Sequence, residues 1–504
     1  MIDAKLARLV AATLIAATAV VGCDGNNGGA ALGPGALKAS ACVRKITAEA
    51  GVNHTDPVYM AGFGNNRVAT GVHDDVWARG VVVESDGVKI ALVVLDVVGY
   101  FNNEVETIRA LVADPSFDAI VVSSTHTHEG ADTMGLWGPD QLTSGTDLGY
   151  LDFINASVAD CILEANANLR PAEIRFATGD TVGASLPGEP DLVADGEVLQ
   201  HLCVGGTFDG TGACIDGLEV FGDDGPIRNP TTPSFQLRDR DTGEMLATLV
   251  NYASHPESLG SDNTLISSDF PHYMRQAVEE RFGGVAIYMS ADLGVLQGPL
   301  DVFLEDDAGE MVPRRTFEFA ERMGNILAQR AGDALAAETR WSATPEIAVV
   351  KSGTMVVELT NPYFDLLGVL GVFGRRPFTR LGDGRGEITS EMQAFRIGPA
   401  TFAVTPNELD PQIGDLYRAR MVGADHKFVV GLGNDEIGYQ MPEEKFNPGC
   451  FLCFLENTGQ ADPEGMCPGD MWNDCGTVFQ NNIGPAVDPV LQGVMNDLLG
   501  QLGS

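Results

Sequence analysis

Residues 118–130 read DAIVVSSTHTHEG, and the interpretation of the chain starts from this stretch. The run at 118–124 is short, apolar and β-branched, which predicts a buried strand. His126 and His128 follow it directly, and ligand sites in open α/β sheets collect at the carboxyl ends of strands. Two residues apart in an extended segment, both imidazoles would share one face. That spacing suits either one metal ion or one ligand beside one acid/base group.

A third histidine ends a similar apolar strand. It is His255, in the stretch LVNYASHP at 249–256. Imidazole is the commonest zinc ligand, and a hydrolytic zinc site needs about three protein ligands and an open position for water. For any one histidine, a hydrogen-bonded core residue is the alternative. Two strand-end positions together favour the metal site.

An acidic ligand is expected to complete such a site. Glu408 is the first candidate, because it follows a predicted strand and opens a predicted helix. Its alternative role is to stabilise that helix through the helix dipole. Asp96 and Asp269 also lie at the ends of predicted elements and are weaker candidates.

Strands and helices are mixed along the chain and predict an α/β fold with a mixed sheet. A hairpin is predicted at 80–97 around Ser85-Asp86-Gly87. Further strands are predicted near 118–124, 172–177, 234–239, 245–252, 284–289, 346–359, 389–404 and 427–432. Helices are predicted near 103–113, 148–168, 270–281, 314–337, 408–421 and 488–499. Hairpins are interleaved with crossovers, which excludes an all-parallel sheet.

Composition excludes several classes of protein. The 504 residues include 31 Lys+Arg and 70 Asp+Glu, a formal charge of −39, which argues against nucleic-acid binding. Hydrophobic residues make up 44%, enough for a large core. Only one stretch, at the N-terminus, is long and apolar enough to meet a membrane, so a polytopic membrane protein is excluded.

The first 22 residues predict a lipoprotein signal peptide. Lys5 and Arg8 precede an apolar run, Leu9–Val21, that is too short to span a bilayer. The run ends in VVGC at 20–23, which is similar to the bacterial lipobox, so we expect Cys23 to be lipidated. An ordinary signal with a coincidental cysteine is the alternative. We therefore expect an exported lipoprotein of the bacterial cell envelope, at the periplasmic or extracellular face, anchored in the membrane through Cys23, with a flexible tether at 23–40 and one large domain at 41–504.

The eight cysteines beyond Cys23 predict disulfides, because an even number follows an export signal. We expect Cys203 to pair with Cys214 and the four cysteines between 450 and 475 to form two bridges. That leaves Cys42 with Cys161. A four-cysteine zinc site in the last cluster is the alternative, although its spacings fit zinc ribbons poorly.

Three further segments have two interpretations each. The insert at 179–226 and the acidic stretch at 301–312 either hold a structural Ca²⁺ or Mg²⁺ ion or form solvated loops. The apolar segment Phe364–Phe373, followed by Arg375, Arg376 and Arg380, is either a lipid-facing flap at the rim of a site or a buried helix or loop.

Several blocks of residues, in order across 43–446, resemble the catalytic domain of the neutral/alkaline (non-lysosomal) ceramidases. They are MAGFG at 60–64 with WARG at 77–80, STHTH at 124–128, the strand ending at His255 with ISSDFP at 266–271, PNE at 406–408, and NDEIGY at 434–439 followed by Glu443-Glu444. The resemblance implies that family's mixed α/β catalytic domain.

The resemblance also implies one zinc ion per chain, held by His126, His255, Glu408 and Tyr439. In that family zinc activates a water, which attacks the amide carbonyl of an N-acyl sphingoid base. His128 would lie beside that water as a proton carrier. The implied partner is a lipid-like small-molecule substrate.

The chain departs from the family pattern around the substrate. Gln297 stands where the family has a serine proposed as a nucleophile, and glutamine cannot accept an acyl group. The insert at 179–226 replaces the family's NRSPxAYxxNP segment, and the chain ends without room for its C-terminal immunoglobulin-like domain. A divergent member is therefore expected. The alternatives are the same zinc scaffold with another ester or amide substrate, and a catalytically silent binding lipoprotein.

Overall fold

The computed structural model describes residues 35–181, 229, 231–294, 304, 306, 308–442, 483–484 and 486–503, and the backbone of four short strands between 202 and 220. Several predictions fall outside the described residues. These are the signal peptide, Cys23, every cysteine pair except Cys42 with Cys161, most of the two inserts, Gln297, and Glu443 with Glu444.

The strands and helices follow in chain order. The strands are β1 Lys38–Lys45, β2 Gly71–Val72, β3 Trp77–Ser85, β4 Val88–Leu95, β5 Ala119–Ser124, β6 Arg170–Asp180, β7 Leu202–Val204, β8 Thr207–Phe208, β9 Cys214–Ile215, β10 Leu218–Val220, β11 Thr231–Asp239, β12 Met245–Tyr252, β13 Leu265–Ile266, β14 Val285–Ser290, β15 Ile347–Lys351, β16 Met355–Leu359, β17 Thr379–Gly382, β18 Arg385–Ser390, β19 Gln393–Ile397, β20 Ala400–Val404, β21 Glu408–Leu409, β22 His426–Val430 and β23 Tyr439–Gln440. The helices are α1 Asn102–Val112, α2 Leu148–Ala167, α3 Phe270–Phe282, α4 Phe317–Ala337, α5 Pro362–Leu370, α6 Pro411–Arg420 and α7 Val487–Leu502.

Eight strands form the main sheet, in the order β14-β12-β11-β6-β1-β3-β4-β5. The pairs β12–β14 and β4–β5 are parallel, and the other neighbours are antiparallel. The predicted α/β class with a mixed sheet is therefore confirmed.

A second mixed sheet, in the order β15-β19-β20-β22, packs on the main sheet through aromatic side chains. The Phe402 ring stacks on Phe395 and Phe428 at centroid distances of 4.4 and 4.2 Å. Phe235 of β11 meets the same group from the main sheet, 6.4 Å from Phe402. This apolar contact joins the two sheets face to face.

Helices cover the outer faces of the two sheets. In β4, Leu92 faces the core between the sheets, whereas Val93 packs with Ile108 of α1 and Ile154 of α2. This alternation follows from the two-residue period of a strand. Helices α3 and α4 pack on β12 and β14, and α6 and α7 pack on the second sheet.

The predicted disulfide between Cys42 and Cys161 is confirmed, and it ties β1 to α2. β1 begins at Lys38, because Lys38 and Ala39 already pair with β3. The last three residues of the predicted tether, 38–40, therefore lie in this strand.

Most predicted elements are present, and the hairpin is confirmed. Its turn residues Asp86 and Gly87 both have positive φ, as a tight two-residue hairpin turn requires. The strand predicted at 346–359 is wrong as a single element, since β15 and β16 belong to different sheets. The strand predicted at 389–404 is also wrong as a single element, because it contains the hairpin of β19 and β20 and the end of β18.

The segment Phe364–Phe373 forms α5 and the turns that follow it. Its inner face is buried through Phe364, Leu367 and Phe373, as the alternative of a buried helix predicts. Its outer face exposes Leu366, Val369 and Leu370 at 44, 47 and 49%. Contact of this face with lipid stays a prediction.

The three arginines after α5 are engaged in ion pairs. Arg375 pairs with Glu104 and Asp152, Arg376 with Asp435, and Arg380 with Asp365.

None of the helices within the described residues is both long and apolar enough to cross a membrane.

Candidate metal centre

The three histidines lie in loops that follow strands, and Glu408 begins the short strand β21. His126 and His128 follow β5, His255 follows β12, and Glu408 follows β20. The ends of β5 and β14, the two edge strands of the main sheet, meet here, because the Ser290 hydroxyl donates to the carbonyl oxygen of Thr125 (2.8 Å).

The second sheet is bound to the same place by backbone hydrogen bonds. The Gly431 N–H donates to the Ser290 carbonyl (3.1 Å), and the Asn434 N–H donates to the Val122 carbonyl (2.6 Å). The loop after β22, which carries Tyr439, is therefore held against the end of β5.

The backbone at His126 is left-handed, with φ of +67°. A non-glycine residue pays roughly 1–2 kcal/mol for this conformation, and such residues cluster at functional sites. The strand does not continue through the two histidines, contrary to the extended segment predicted. Instead, the backbone N–H of His126 donates to the Val97 carbonyl (3.0 Å), and the ring Nδ1–H donates to the Val98 carbonyl (2.5 Å). Since a carbonyl only accepts, Nδ1 of His126 carries a proton, and the Nε2 atom of the ring faces the site.

Five donor atoms converge at this point. The Oε2 atom of Glu408 lies 3.0 Å from Nε2 of His255 and 3.3 Å from Nε2 of His126. The Nε2 atoms of His126 and His128 are 3.2 Å apart, and the Tyr439 hydroxyl lies 3.2 Å from Nε2 of His255. All five side chains are buried. The structure thus brings together every residue that the sequence assigned to the site.

Three separations among the donor atoms of His126, His255, Glu408 and Tyr439 are close to those around a tetrahedral cation. Zinc bonds of about 2.0–2.2 Å place neighbouring ligand atoms about 3.3–3.6 Å apart, close to the 3.0–3.3 Å observed. In the described part of the chain, the ligand atoms of His126, His128 and His255 all lie within 4.8 Å of one another. This buried group can hold a metal ion. The structural Ca²⁺ or Mg²⁺ site stays a prediction.

The five converging side chains form a cluster whose charge favours binding of a cation. Burial alone would raise the pKa of Glu408, but the imidazoles of His126 and His255 outweigh it and hold that pKa well below its usual range. Burial lowers the pKa of His128, and the two neighbouring imidazoles lower it further. The site therefore contains an ionised carboxylate and a neutral His128 at neutral pH.

Glu408 does not open a helix, contrary to the prediction. It forms the short strand β21, and its register partner in the parallel β23 is Tyr439. Helix α6 begins at Pro411, with the side chain of Asp410 accepting the Gln412 N–H as N-cap. The pairing of Glu408 with Tyr439 is what places the carboxylate beside the phenol.

The two weaker acidic candidates have other partners. Asp96 accepts two hydrogen bonds from Arg275, at 2.7 and 3.0 Å, and one from the Trp77 N–H at 2.8 Å. Asp269 is the N-cap of α3, and burial raises its pKa to about 7. Both therefore have structural roles at element ends.

His128 is enclosed on several sides. Its backbone N–H donates to the Pro256 carbonyl (3.0 Å), and its ring Nδ1 lies 3.2 Å from Oε2 of Glu257. Gly62, with φ of +97°, packs so closely that a Cβ there would lie 2.2 Å from Cγ of His128. The Phe63 ring stands edge-on to the imidazole, with 5.0 Å between centroids.

Sequence reasoning missed the charged residues around His128. The buried Glu257 follows His255 by two residues, as His128 follows His126, and this spacing was a signal for it. Arg67 donates to the carbonyl of His128, and its Nη1 lies 3.5 Å from the buried Glu129. Burial raises the pKa of Glu129 well above its usual value, against the opposing charge of Arg67. No sequence signal pointed to the pair of Arg67 with Glu129.

Comparison with known proteins identifies the fold that this chain shares with them. No protein-family model and no curated protein matches the chain. Among solved structures, neutral ceramidase from Pseudomonas aeruginosa is similar, with a TM-score of 0.63 and 16% identity over 93% of this chain and 74% of that one. The chain has the neutral ceramidase fold. A ceramidase complexed with C2 is similar to the same degree, with a TM-score of 0.62 and 17% identity over 93% of this chain and 75% of that one.

Proposed function

We propose that the protein is a zinc-dependent hydrolase that cleaves the amide bond of ceramide or a related N-acyl lipid. The observation that carries the proposal is the convergence of His126, His255, Glu408 and Tyr439, with donor atoms 3.0 to 3.3 Å apart in the three pairs that make contact. It occurs on a fold shared with a neutral ceramidase, whose name supplies the substrate class proposed.

His126, His255, Glu408 and Tyr439 would hold the ion, since two imidazoles and two oxygen donors suit zinc. When bound, zinc would polarise an acyl carbonyl and make a water molecule acidic enough to react near neutral pH. Ionised Glu408 balances part of the positive charge inside the protein. Burial of the cluster excludes bulk water, which strengthens these interactions.

His128 is the residue best placed to move a proton. Its Nε2 atom lies at the edge of the cluster, 3.2 Å from that of His126. A neutral imidazole can accept a proton at Nε2 from an attacking water and return it to the nitrogen of the departing amine. The low pKa of His128 keeps it in the accepting form before reaction.

We also propose that the protein is an envelope lipoprotein anchored through Cys23, which would bring it to a lipid-like substrate. The apolar outer face of α5 supports this proposal. Mass spectrometry of the N-terminal peptide from cells tests it, with Cys23→Ala as the control: a lipidated Cys23 is expected, and an unmodified peptide would contradict it.

The test of the main proposal combines activity with metal content. Purified protein is assayed on a fluorescent N-acyl sphingosine, an N-acyl amino acid and a simple ester, while zinc is counted by elemental analysis. We expect one zinc per chain and cleavage of the N-acyl sphingosine, both lost in His126→Ala. Turnover of the ester alone would indicate another substrate on the same scaffold. Zinc well below one per chain, with no turnover, would indicate a silent binding protein.

A further inference from the structure

The side chain of Glu257 faces the nitrogen of His128 that points away from the cluster. Nδ1 of His128 lies 3.2 Å from Oε2 of Glu257, and both side chains are buried. The other nitrogen, Nε2, faces His126. The imidazole therefore has a carboxylate on one side and the cluster on the other.

The backbone fixes this arrangement from both ends. The backbone N–H of His128 donates to the carbonyl of Pro256, the residue before Glu257, at 3.0 Å. The backbone N–H of Glu257 donates to the carbonyl of His255 at 3.0 Å, and the Glu257 carbonyl accepts a hydrogen bond from the Gly260 N–H at 3.1 Å. The loop that supplies His255 to the cluster thus also supplies the carboxylate behind His128.

A neutral imidazole carries one N–H and one lone pair, so the neighbours of the two nitrogens select the tautomer. The Glu257 oxygen beside Nδ1 favours the proton there, because a carboxylate oxygen accepts a hydrogen bond and two facing lone pairs would repel each other. The lone pair is then on Nε2, directed at His126.

We propose that Glu257 is a positioning residue, which fixes His128 in the tautomer with its proton on Nδ1 and its acceptor lone pair on Nε2 facing the cluster. This inference rests on the proposed hydrolase function, in which Nε2 of His128 accepts the proton.

The tautomer can be measured directly by long-range ¹H–¹⁵N correlation NMR on protein labelled with [¹⁵N]histidine. The chain has eight histidines, and the signal of His128 is identified by its loss in His128→Gln. In the wild type, with and without zinc, we expect Nδ1 to be protonated and Nε2 not. In Glu257→Ala the two nitrogens should show a mixture of tautomers. Glu257→Gln, which keeps the size of the side chain, serves if the alanine variant folds poorly.

Kinetics separates positioning from a general structural effect. We expect Glu257→Gln to lower kcat about 10- to 100-fold, the usual cost of losing a partner behind a working histidine, with KM unchanged and one zinc per chain retained. Glu257→Asp should recover part of the loss. Asp262→Ala, an exposed acid in the same loop, should behave as wild type.

An unchanged His128 tautomer in both Glu257 variants, or a kcat within twofold of wild type, would overturn the inference. Failure of the proposed function looks different. In that case the wild type itself would not hydrolyse N-acyl lipids, while the NMR spectra would still report the tautomer.

Discussion

The carboxylate of Glu408 and the imidazole of His255 lie 3.0 Å apart, although the two residues are 153 positions apart along the chain. The carboxylate belongs to β21, which follows β20 of the second sheet, and the imidazole belongs to the loop after β12 of the main sheet. The site therefore exists only because the two sheets pack against each other, since each sheet positions part of it.

Replacing Glu408 by glutamine should weaken zinc binding by more than about 100-fold, because losing even a partner behind a ligand costs about 10- to 100-fold. Competition with a chromophoric chelator measures this. Glu104→Gln is the matched control, a buried carboxylate that bonds Asn155 and Arg375 away from the cluster. Zinc affinity equal to that of the wild type in Glu408→Gln would show that the carboxylate is not a ligand.

Gly62→Ala should displace His128 without removing the metal ligands. The added Cβ would lie 2.2 Å from Cγ of the imidazole, and φ of +97° disfavours any side chain. We expect kcat to fall at least about 10-fold, since proton transfer by a positioned group is worth about 10²–10⁴-fold. Gly64→Ala is the control, because a Cβ there meets nothing within 4 Å. Equal kcat in the two variants would argue against a role for His128.

Asp147 should make the stability of the fold depend on pH at the acid end. Burial alone would raise its pKa, but hydrogen bonds from Thr55 and Tyr150 outweigh burial and lower the pKa to about 2. A carboxyl whose pKa is lower folded than unfolded stabilises above its unfolded value of about 3.9 and loses that contribution as the pH falls toward 2.

We expect Asp147→Ala to lower the free energy of unfolding by about 1 kcal/mol at pH 7, as for a lost N-cap, with solvent screening keeping the effect small. The difference should shrink between pH 4 and 2. Urea denaturation at pH 7 and pH 3 checks this, with the exposed Asp241→Ala as reference. A difference that stays constant with pH would contradict the assignment.

Asp96→Ala should destabilise the protein while leaving zinc in place. It removes the carboxylate that pairs with Arg275 and leaves a buried guanidinium uncompensated, at a cost of about 3–5 kcal/mol. Urea denaturation gives the loss, and elemental analysis gives the zinc content. Loss of zinc from folded Asp96→Ala protein would show that Asp96 belongs to the site.

The sequence was informative wherever a local pattern has one structural solution. Ser85-Asp86-Gly87 predicted the hairpin because its turn needs positive φ, and the β-branched run before His126 predicted a buried strand. The five site residues emerged from strand-end positions and from the family resemblance together. Neither required knowledge of which strands are neighbours.

Long-range pairing was beyond these patterns. The parallel bridge between Glu408 and Tyr439 depends on how the loop after β22 folds back, and a helix start was the reasonable local expectation. Glu257 and Arg67 reach His128 from loops that no periodicity connects to it. Their positions are set by close packing, which a pattern of polar and apolar residues does not encode.

The central claim is that one zinc ion lies between His126, His255, Glu408 and Tyr439. Anomalous diffraction from crystals of the purified protein, collected on both sides of the zinc absorption edge, tests it most directly. We predict a single zinc peak about 2.0–2.2 Å from Nε2 of His126, Nε2 of His255 and a carboxylate oxygen of Glu408. A peak bound by other side chains, or no peak in protein grown and purified with zinc, would contradict the account.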